Sequence, residues 1–214
     1  MRRKESREER QSAGLRGRNV AVVVGASMAG LSTAAVLASR FGEVVLVDRD
    51  ALGDEPRDRR GVPQGRHAHG LLPAGLQRIE GWFPGFTEDL VNDGAHLCDM
   101  GNEILWYQGD GPRVRFRSDL YAPVCSRALI EHHLRRRVLA LPNVRLRSGL
   151  GATGLTSTAD GRTVTGVTLE DGSTLSADLV VDASGRAGRC GPWLAALGYE
   201  EPSTSIVTID VRYA

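Results

Sequence analysis

The segment from residue 19 to residue 50, NVAVVVGASMAGLSTAAVLASRFGEVVLVDRD, constrains the fold of this chain more than any other part. Its first part, Val20 to Val24, is a continuous apolar run rich in valine, which predicts a strand buried on both faces. A glycine turn follows from Gly25 to Gly30, and small residues then predict a helix from about Met28 to Arg40. A second apolar strand is predicted from Val44 to Val47. This order of elements predicts a βαβ unit with parallel strands.

The turn and the residue after the second strand have the chemistry of a dinucleotide site. The first N–H groups of a helix lack internal partners and carry a positive partial charge, so a pyrophosphate binds there. Gly30 allows the helix to pack close to the strand, and Asp48 could bind ribose hydroxyls at the expected spacing. Ser27 stands where the second glycine of this pattern is expected. Its Cβ would lie beside the pyrophosphate, although its hydroxyl could donate a hydrogen bond. The alternative is a βαβ unit that binds no nucleotide.

Composition excludes several classes of protein. Of the 214 residues, 41% are hydrophobic and 25% are charged, as in an ordinary globular chain, and the formal charge of +1 argues against a nucleic-acid surface. Cys98, Cys125 and Cys190 are odd in number and widely spaced, which favours a reducing, cytoplasmic compartment over a disulfide framework. No apolar run approaches the length of a membrane span, and the first residues do not resemble a signal peptide.

Two charged segments flank the βαβ unit. Residues 1–18 alternate basic and acidic side chains and predict a disordered arm. Residues 51–70 are rich in glycine, proline and charge, which predicts a long loop. The arginines of this loop could neutralise a diphosphate, or the loop could simply be solvated. A metal site is not predicted, because the His-x-His pair has no nearby cluster of ligands. The basic residues and histidines concerned are Arg57, Arg59, Arg60, Arg66, His67 and His69.

Further elements follow from the pattern of apolar residues. Helices are predicted from Leu71 to Trp82, from Phe86 to Gly94 and from Ser126 to Leu141. The segment from Ile104 to Phe116 is predicted to be extended, with its aromatic side chains in the core or, as the alternative, on a substrate face. Arg127 lies in the first turn of the third of these helices, where the helix dipole disfavours a cation, so an anionic partner is indicated.

The last third of the chain predicts a β-hairpin that precedes a buried strand. Strand patterns run from Val164 to Leu169 and from Thr174 to Leu175, and Asp171-Gly172 between them is a strong turn signal. A short strand is also predicted from Val144 to Arg147. The chain then enters an apolar strand that ends at a second small-residue turn, Asp182 to Gly185. A plain nicotinamide-binding half does not need such a hairpin before its last strand.

These motifs together resemble the FAD-dependent monooxygenases of the p-hydroxybenzoate hydroxylase type, and in particular a bacterial subgroup that includes polyether epoxidases. The resemblance covers roughly residues 19–214. It is carried by VVVGASMAGL at 22–31, LVDRD at 46–50, RRGVPQGRHAHGLL at 59–72, CSRALIEHHLRRRV at 125–138 and TLSADLVVDASGRAGR at 174–189. It implies an α/β fold: a Rossmann-like, glutathione-reductase-type FAD-binding domain with a βαβ unit and a β-hairpin insertion, followed by the beginning of a substrate-domain sheet.

The resemblance also implies which residues bind the cofactor. The turn and helix start would hold the FAD pyrophosphate, Asp48 the adenosine ribose and Arg49 the adenine side. Arg60 and Arg127 resemble arginines that reach the flavin cofactor in these hydroxylases. Ser184 replaces the aspartate of the family's second turn, which weakens any inference that this turn binds NAD(P)H. The implied cofactor-binding residues are Gly25, Ser27, Met28, Ala29, Gly30, Asp48, Arg49, Arg60, Arg127, Asp182 and Gly185.

The resemblance has a limit in length. Chains of this family are considerably longer and carry a third motif, Gly-Asp followed by a proline-containing helix, which binds the ribityl chain and diphosphate of FAD. The domains expected here are an arm at 1–18, an FAD-binding domain at 19–200 with 84–122 partly in the substrate domain, and the start of a substrate-domain strand at 201–214. A fragment, a truncated product or a chain completed by a second polypeptide is therefore expected.

The expected function is an FAD-dependent monooxygenase that hydroxylates or epoxidises a small aromatic or alkene substrate, with NAD(P)H as the electron donor. The FAD would carry that chemistry, and no catalytic acid or base is predicted among the protein's side chains. The alternatives are another flavin reaction on the same fold (a dehydrogenase, an isoprenoid reductase or a halogenase), a non-catalytic nucleotide-binding remnant, and a simple NAD-dependent dehydrogenase.

Overall fold

The structure is a computed structural model that describes residues 19–66, 69–200 and 203–210. Five α-helices lie within these residues: α1 (Met28–Leu37), α2 (Pro73–Trp82), α3 (Phe86–Asn92), α4 (Arg127–Leu139) and α5 (Cys190–Ala196). Short 3-10 turns occur at Pro63–Arg66 and Gly185–Ala187. The expected arm at 1–18 and His67 lie outside the described residues.

The described residues contain eleven strands in four sheets. The central sheet has the order β11-β1-β2-β7, and its neighbouring strands are parallel. A three-stranded antiparallel sheet has the order β10-β9-β8, and β3-β6 and β4-β5 form two small antiparallel pairs. Their bounds are β1 (Val20–Val24), β2 (Glu43–Asp48), β3 (His96–Asp99), β4 (Tyr107–Gln108), β5 (Gly111–Pro112), β6 (Tyr121–Val124), β7 (Val144–Ser148), β8 (Ala152–Ser157), β9 (Val164–Leu169), β10 (Thr174–Ser176) and β11 (Leu179–Asp182).

Both faces of the central sheet are covered, as the continuous apolar runs predict. Ala21 and Val23 of β1 face a core shared with the helices, whereas Val22 and Val24 face a second core that includes Val167 of β9. This division follows from the alternation of side chains along a strand. The parallel sheet therefore lies between a helical layer and the antiparallel sheet, a mixed α/β architecture that bears out the predicted βαβ unit.

The predicted hairpin is present and is extended by a strand that the sequence pattern did not reveal. Thr174 pairs with Thr168 across the turn, and Gly172 has a φ of +81°, which suits glycine in a tight turn. Strand β8 joins this pair on the other edge of β9, with two irregularities in its register. The three strands form the layer that covers one face of the central sheet.

Helix α4 connects the helical layer to the sheet. Its N-cap residue, Ser126, accepts a hydrogen bond from the Leu129 N–H at 3.1 Å, and Leu134 and Val138 are fully buried against the core that covers β1 and β2. The predicted bounds are therefore confirmed to within two residues at either end. The predicted helices at α2 and α3 are also present.

Two expectations are not met in this part of the chain. The segment from residue 104 to 116 forms only the two-residue strands β4 and β5. Trp106, Tyr107 and Phe116 are exposed, at 49%, 70% and 64%, rather than in the core. A pair of two-residue strands is too short to bury aromatic side chains by itself.

No helix among the described residues is long and apolar enough to cross a bilayer.

Candidate nucleotide-binding site

A cleft of about 190 Å³ opens where β1, β2 and β11 end at the same edge of the central sheet. Ligands of open parallel α/β sheets bind at the carboxyl ends of the strands, so this edge is where a site is expected. The cleft is lined by the turn after β1 (Val24, Gly25 and Ser27), by the end of β2 (Val47, Asp48 and Arg49), by Arg59, Gly61 and Val62, by Gly151, Ala152, Thr153 and Glu170, and by Ala183, Ser184, Arg189 and Trp193.

Two glycines of the turn are required by the packing. Gly25 has a φ of +100°, and a Cβ on it would lie 2.5 Å from the carbonyl oxygen of Ala183. A Cβ on Gly30 would lie 1.7 Å from the carbonyl oxygen of Gly25. No side chain fits at either position, because both contacts are with backbone atoms. The turn therefore brings the N-terminus of α1 close to the strand and places it at the cleft.

The N-terminus of α1 receives no hydrogen bond from the side chain of its N-cap residue. Ser27 occupies the N-cap position with an extended backbone, and its side chain makes no capping hydrogen bond. Its hydroxyl instead donates to Glu131 Oε2 on α4 at 2.6 Å. Met28 is half-buried against the core, whereas Ala29 is exposed. The first-turn N–H groups of α1 are thus left uncapped by Ser27, as an anion-binding helix end requires.

Asp48 is buried at the mouth of the cleft and is held by three donors. Its Oδ2 accepts hydrogen bonds from the Ala26 N–H at 2.7 Å and from Arg59 Nη1 at 3.1 Å. Its Oδ1 accepts one from the Asp50 N–H at 2.9 Å. A carboxylate offers about four acceptor positions, so Oδ1 keeps one for a further donor such as a ribose hydroxyl.

Arg59 is the central cation of the site and was not singled out among the loop arginines by the sequence. It donates through Nε to Glu131 Oε1 at 2.8 Å and through Nη2 both to the same oxygen and to the Ala26 carbonyl. It also donates through Nη1 to Asp48 and Asp50. Burial works against its charge, but the carboxylates of Glu131 and Asp48 outweigh this and raise the pKa of Arg59 above its ordinary value. Arg59 thus links the loop, α4 and the end of β2.

Arg127, which the sequence did indicate, lies at the same helix end. Its Nη2 donates to Ser27 Oγ at 3.2 Å, and its Nη1 lies 3.0 Å from His69 Nε2. Its Nε is buried without a hydrogen-bond acceptor and lies 3.9 Å from Glu131 Oε2. Burial lowers the pKa of Arg127, the Glu131 carboxylate partly offsets this, and Arg59 lowers it further. An incompletely neutralised guanidinium beside an uncapped helix end is suited to an anion.

The remaining predicted residues differ in their relation to the cleft. Arg49 lines it and is exposed, whereas Arg60 is exposed and is not among its lining residues. Asp182 is bound locally: Oδ1 accepts from the Ser184 N–H and hydroxyl, and Oδ2 accepts from the Cys190 N–H. Gly185 opens the following 3-10 turn with a φ of +77°. It is Ala183 and Ser184, rather than Asp182 and Gly185, that line the cleft.

One residue of the site, Glu131, was missed by the sequence analysis altogether. It is 4% exposed, and its carboxylate joins Ser27 to Arg59. A signal for it does exist, because Arg127, Glu131 and Arg135 follow one another at i, i+4 spacing on one face of α4. A buried acid between two arginines on one face indicates a polar network rather than a solvated surface.

The described residues contain one group that resembles a set of metal ligands. His96, Cys98 and Glu103 bring their ligand atoms within 4.8 Å of one another, and two of the three are exposed. Burial raises the pKa of the Cys98 thiol, and the charges of Glu103 and Asp99 raise it further. None of the three lines the cleft.

The sequence of this chain is similar to those of known proteins. The profile of the tryptophan halogenase family matches residues 112–207. The protein Rv3254 of Mycobacterium tuberculosis is 36% identical over 209 residues, which is 91% of this chain and 44% of that protein. The chain therefore spans less than half the length of the curated relative that it matches.

Solved structures of flavin enzymes share the fold. PqsL, a probable FAD-dependent monooxygenase from Pseudomonas aeruginosa, superposes with a TM-score of 0.63 at 17% identity, over 92% of this chain and 48% of that one. The 2-methyl-3-hydroxypyridine-5-carboxylic acid oxygenase superposes with a TM-score of 0.56 at 22% identity, over 81% of this chain and 41% of that one. The resemblance of this chain to part of the FAD-dependent monooxygenases is therefore confirmed, and at these identities it establishes the fold.

Proposed function

We propose that this chain binds FAD and forms the nucleotide-binding part of a flavin-dependent oxidoreductase, with a glutathione-reductase-type arrangement of its layers. The observation that carries the proposal is the end of α1. An uncapped helix N-terminus, Gly25 and a carboxylate with a free acceptor position lie around one cleft, and Gly30 allows the helix to pack against the Gly25 carbonyl. These are the features that the adenosine diphosphate moiety of FAD requires.

Within this site each side chain has a distinct task. The first turn of α1 would receive the diphosphate, Asp48 Oδ1 would accept from the ribose, and Arg127 would donate to a phosphate oxygen through its unpartnered Nε. Arg49 lines the cleft and would lie on the adenine side of the bound cofactor. When FAD is bound it supplies the electron transfer to oxygen and to the substrate, while the protein contributes binding and orientation. No catalytic side chain is assigned.

The reaction we favour is monooxygenation of a small aromatic or alkene substrate, with NAD(P)H as reductant. The shared fold with PqsL and the pyridine carboxylic acid oxygenase supports it. PqsL has been solved in complex with 2-aminobenzoylacetate, which is a small aromatic compound. Halogenation is the second candidate, and the matching halogenase profile at residues 112–207 is the specific observation in its favour.

Two measurements test this proposal in order. The purified chain is titrated with FAD and with ADP by calorimetry, and the visible absorbance of bound flavin is recorded. Binding of both ligands is expected, and a folded chain that binds neither would refute the nucleotide site. Binding of ADP without FAD would favour a nucleotide-binding remnant. Candidate phenols and alkenes are then supplied with NAD(P)H, oxygen and bromide, because oxygenated and brominated products distinguish the two reactions.

A further inference from the structure

A single carboxylate, that of Glu131, contacts three arginines near the start of α1, and one of them, Arg59, lines the cleft. Glu131 is hydrogen-bonded to Arg59 and lies 3.9 Å from Arg127 Nε and 4.0 Å from Arg135 Nη1. Its side chain is 6% exposed, so these contacts are little screened by water. Three guanidinium groups therefore converge on one buried anion that belongs to the protein itself.

The same carboxylate lies at the end of α1. Its Oε2 accepts a hydrogen bond from the hydroxyl of Ser27, the N-cap residue of α1. A helix N-terminus favours negative charge, and here the negative charge nearest to Ser27 is that of Glu131. This contact also accounts for a serine where the second glycine is expected, because its hydroxyl has a fixed partner on α4 instead of projecting over the helix end.

Arg59 and Arg127 differ in how many of their N–H donors already have an acceptor. A guanidinium has five N–H donors, and each nitrogen of Arg59 already meets at least one acceptor among Glu131, Asp48, Asp50 and Ala26. Arg59 can therefore reach a phosphate only by giving up one of these contacts, of which those with Glu131 engage two of its three nitrogens. Arg127 keeps an unpartnered Nε that faces Glu131 from just beyond hydrogen-bond distance.

We propose that Glu131 is an internal stand-in for the diphosphate: it balances the charge of these arginines and competes with the incoming phosphates for them. This inference rests on the proposed nucleotide site and adds a residue that sets its affinity. Two anions that share the same cations repel each other. Glu131 therefore stabilises the unliganded chain and lowers its affinity for ADP.

The variant that tests this is Glu131→Gln, which keeps the size of the side chain and removes its charge. ADP and adenosine are titrated separately into the wild type and the variant. We expect ADP to bind about tenfold more tightly to the variant and adenosine to bind both with equal affinity, since only ADP carries phosphates. A merely structural role would weaken both ligands together.

The control is Glu80→Gln. Glu80 accepts from the Gly85 and Thr87 N–H groups and from the Thr87 hydroxyl in the turn between α2 and α3, and it does not line the cleft. This change removes the same charge and costs stability, but it should leave ADP affinity unaltered. A rise in ADP affinity in Glu80→Gln as well would attribute the effect to net charge and would overturn the inference.

A second readout keeps the test decisive if Glu131→Gln is poorly folded. Inorganic pyrophosphate should raise the melting temperature of this variant more than that of the wild type, because it supplies the anion that was removed. Equal or weaker ADP binding by a folded variant, or no rescue by pyrophosphate, overturns the inference while the nucleotide site stands. Failure of both the wild type and the variant to bind ADP refutes the site itself.

Discussion

The carboxylate of Asp48 and the backbone N–H of Ala26 are joined by a 2.7 Å hydrogen bond between the end of β2 and the turn after β1. This bond fixes the carboxylate within the cleft and turns its second oxygen, Oδ1, toward the Asp50 N–H and one open acceptor position. The residue that is expected to recognise ribose is therefore oriented by the turn that is expected to bind the diphosphate. Each element of the site depends on the other for its geometry.

Asp48→Asn should weaken ADP binding by about tenfold or more, because the amide removes the charged acceptor for the ribose hydroxyls. It should also reduce the discrimination against ADP that carries a 2′-phosphate, which the carboxylate repels. Calorimetric titration with both nucleotides measures the two effects. Asp50→Asn is the matched control, because Asp50 also contacts Arg59 but does not line the cleft. An equal loss of affinity in both variants would contradict the role given to Asp48.

Gly30→Ala should destabilise the fold by about 3 kcal/mol, at the upper end of the range for overpacking. The added Cβ would meet the Gly25 carbonyl at 1.7 Å, and backbone cannot move aside as a side chain can. Urea unfolding measures the free energy. Gly81→Ala in α2 is the control, because a Cβ there meets nothing within 4 Å and alanine favours a helix by about 1 kcal/mol. Equal destabilisation of both variants would exclude the close approach of α1 to the turn.

Arg59→Ala should lower the free energy of unfolding by about 3–5 kcal/mol, because it removes the guanidinium that is hydrogen-bonded to the buried carboxylates of Glu131 and Asp48. Arg60→Ala, at the exposed neighbouring position, should change stability by no more than about 0.5 kcal/mol. Denaturant unfolding of the two variants decides which arginine of the loop belongs to the site. A larger loss of stability in Arg60→Ala would contradict the central position of Arg59 in this network.

Ser118→Ala should make the chain unfold at a higher pH on acidification. The Ser118 hydroxyl and N–H, with the backbone N–H groups of Gly101 and Asn102, hold the pKa of Asp99 below its ordinary value, although burial opposes them. A carboxyl with a lowered pKa in the folded state stabilises the fold above its unfolded pKa, and this stability is lost as the pH falls through the folded value. Loss of the hydroxyl raises the pKa of Asp99 in the folded state, so the stabilisation by Asp99 is lost at a higher pH as the solution is acidified.

Acid titration followed by circular dichroism between about pH 7 and pH 2 measures this shift. Ser173→Ala is its control, because Ser173 makes the equivalent bond to Asp171 in an exposed turn where water replaces it. An unchanged acid transition in Ser118→Ala would mean that Asp99 does not contribute to acid stability.

The parts of the fold that could be predicted are those encoded by neighbouring residues. The strand before Gly25 is predicted by its continuous apolar run, the helix after it by the glycine turn and its small residues, and the turn at Asp171-Gly172 by its dipeptide. Strand β8 was missed because its sequence, with Gly154 and several polar residues, has no strand pattern of its own. It is a strand because β9 offers it an edge to pair with.

The site residues that could be predicted are likewise those that lie close together in the sequence. Gly25, Gly30 and Asp48 belong to one continuous motif; Gly25 and Asp48 line the cleft, and Gly30 packs against the carbonyl of Gly25. Arg59 and Glu131 are 72 positions apart, so their ion pair becomes visible only when the loop and α4 are brought together by folding. Arg60 resembles the family's arginine by its place in the sequence. Its side chain is exposed, however, whereas the side chain of the neighbouring Arg59 is only 12% exposed. Charge alone does not indicate which arginine is buried.

The most direct test of this account is a titration of the ¹⁵N-labelled chain with ADP, followed through its backbone amide signals. The account predicts that the largest and earliest changes occur at Met28, Ala29 and Gly30, where the uncapped N–H groups of α1 meet the diphosphate, with further changes beside Asp48. Saturating ADP that leaves those amides unmoved, or that shifts signals elsewhere in the chain instead, would contradict the nucleotide site and the function built on it.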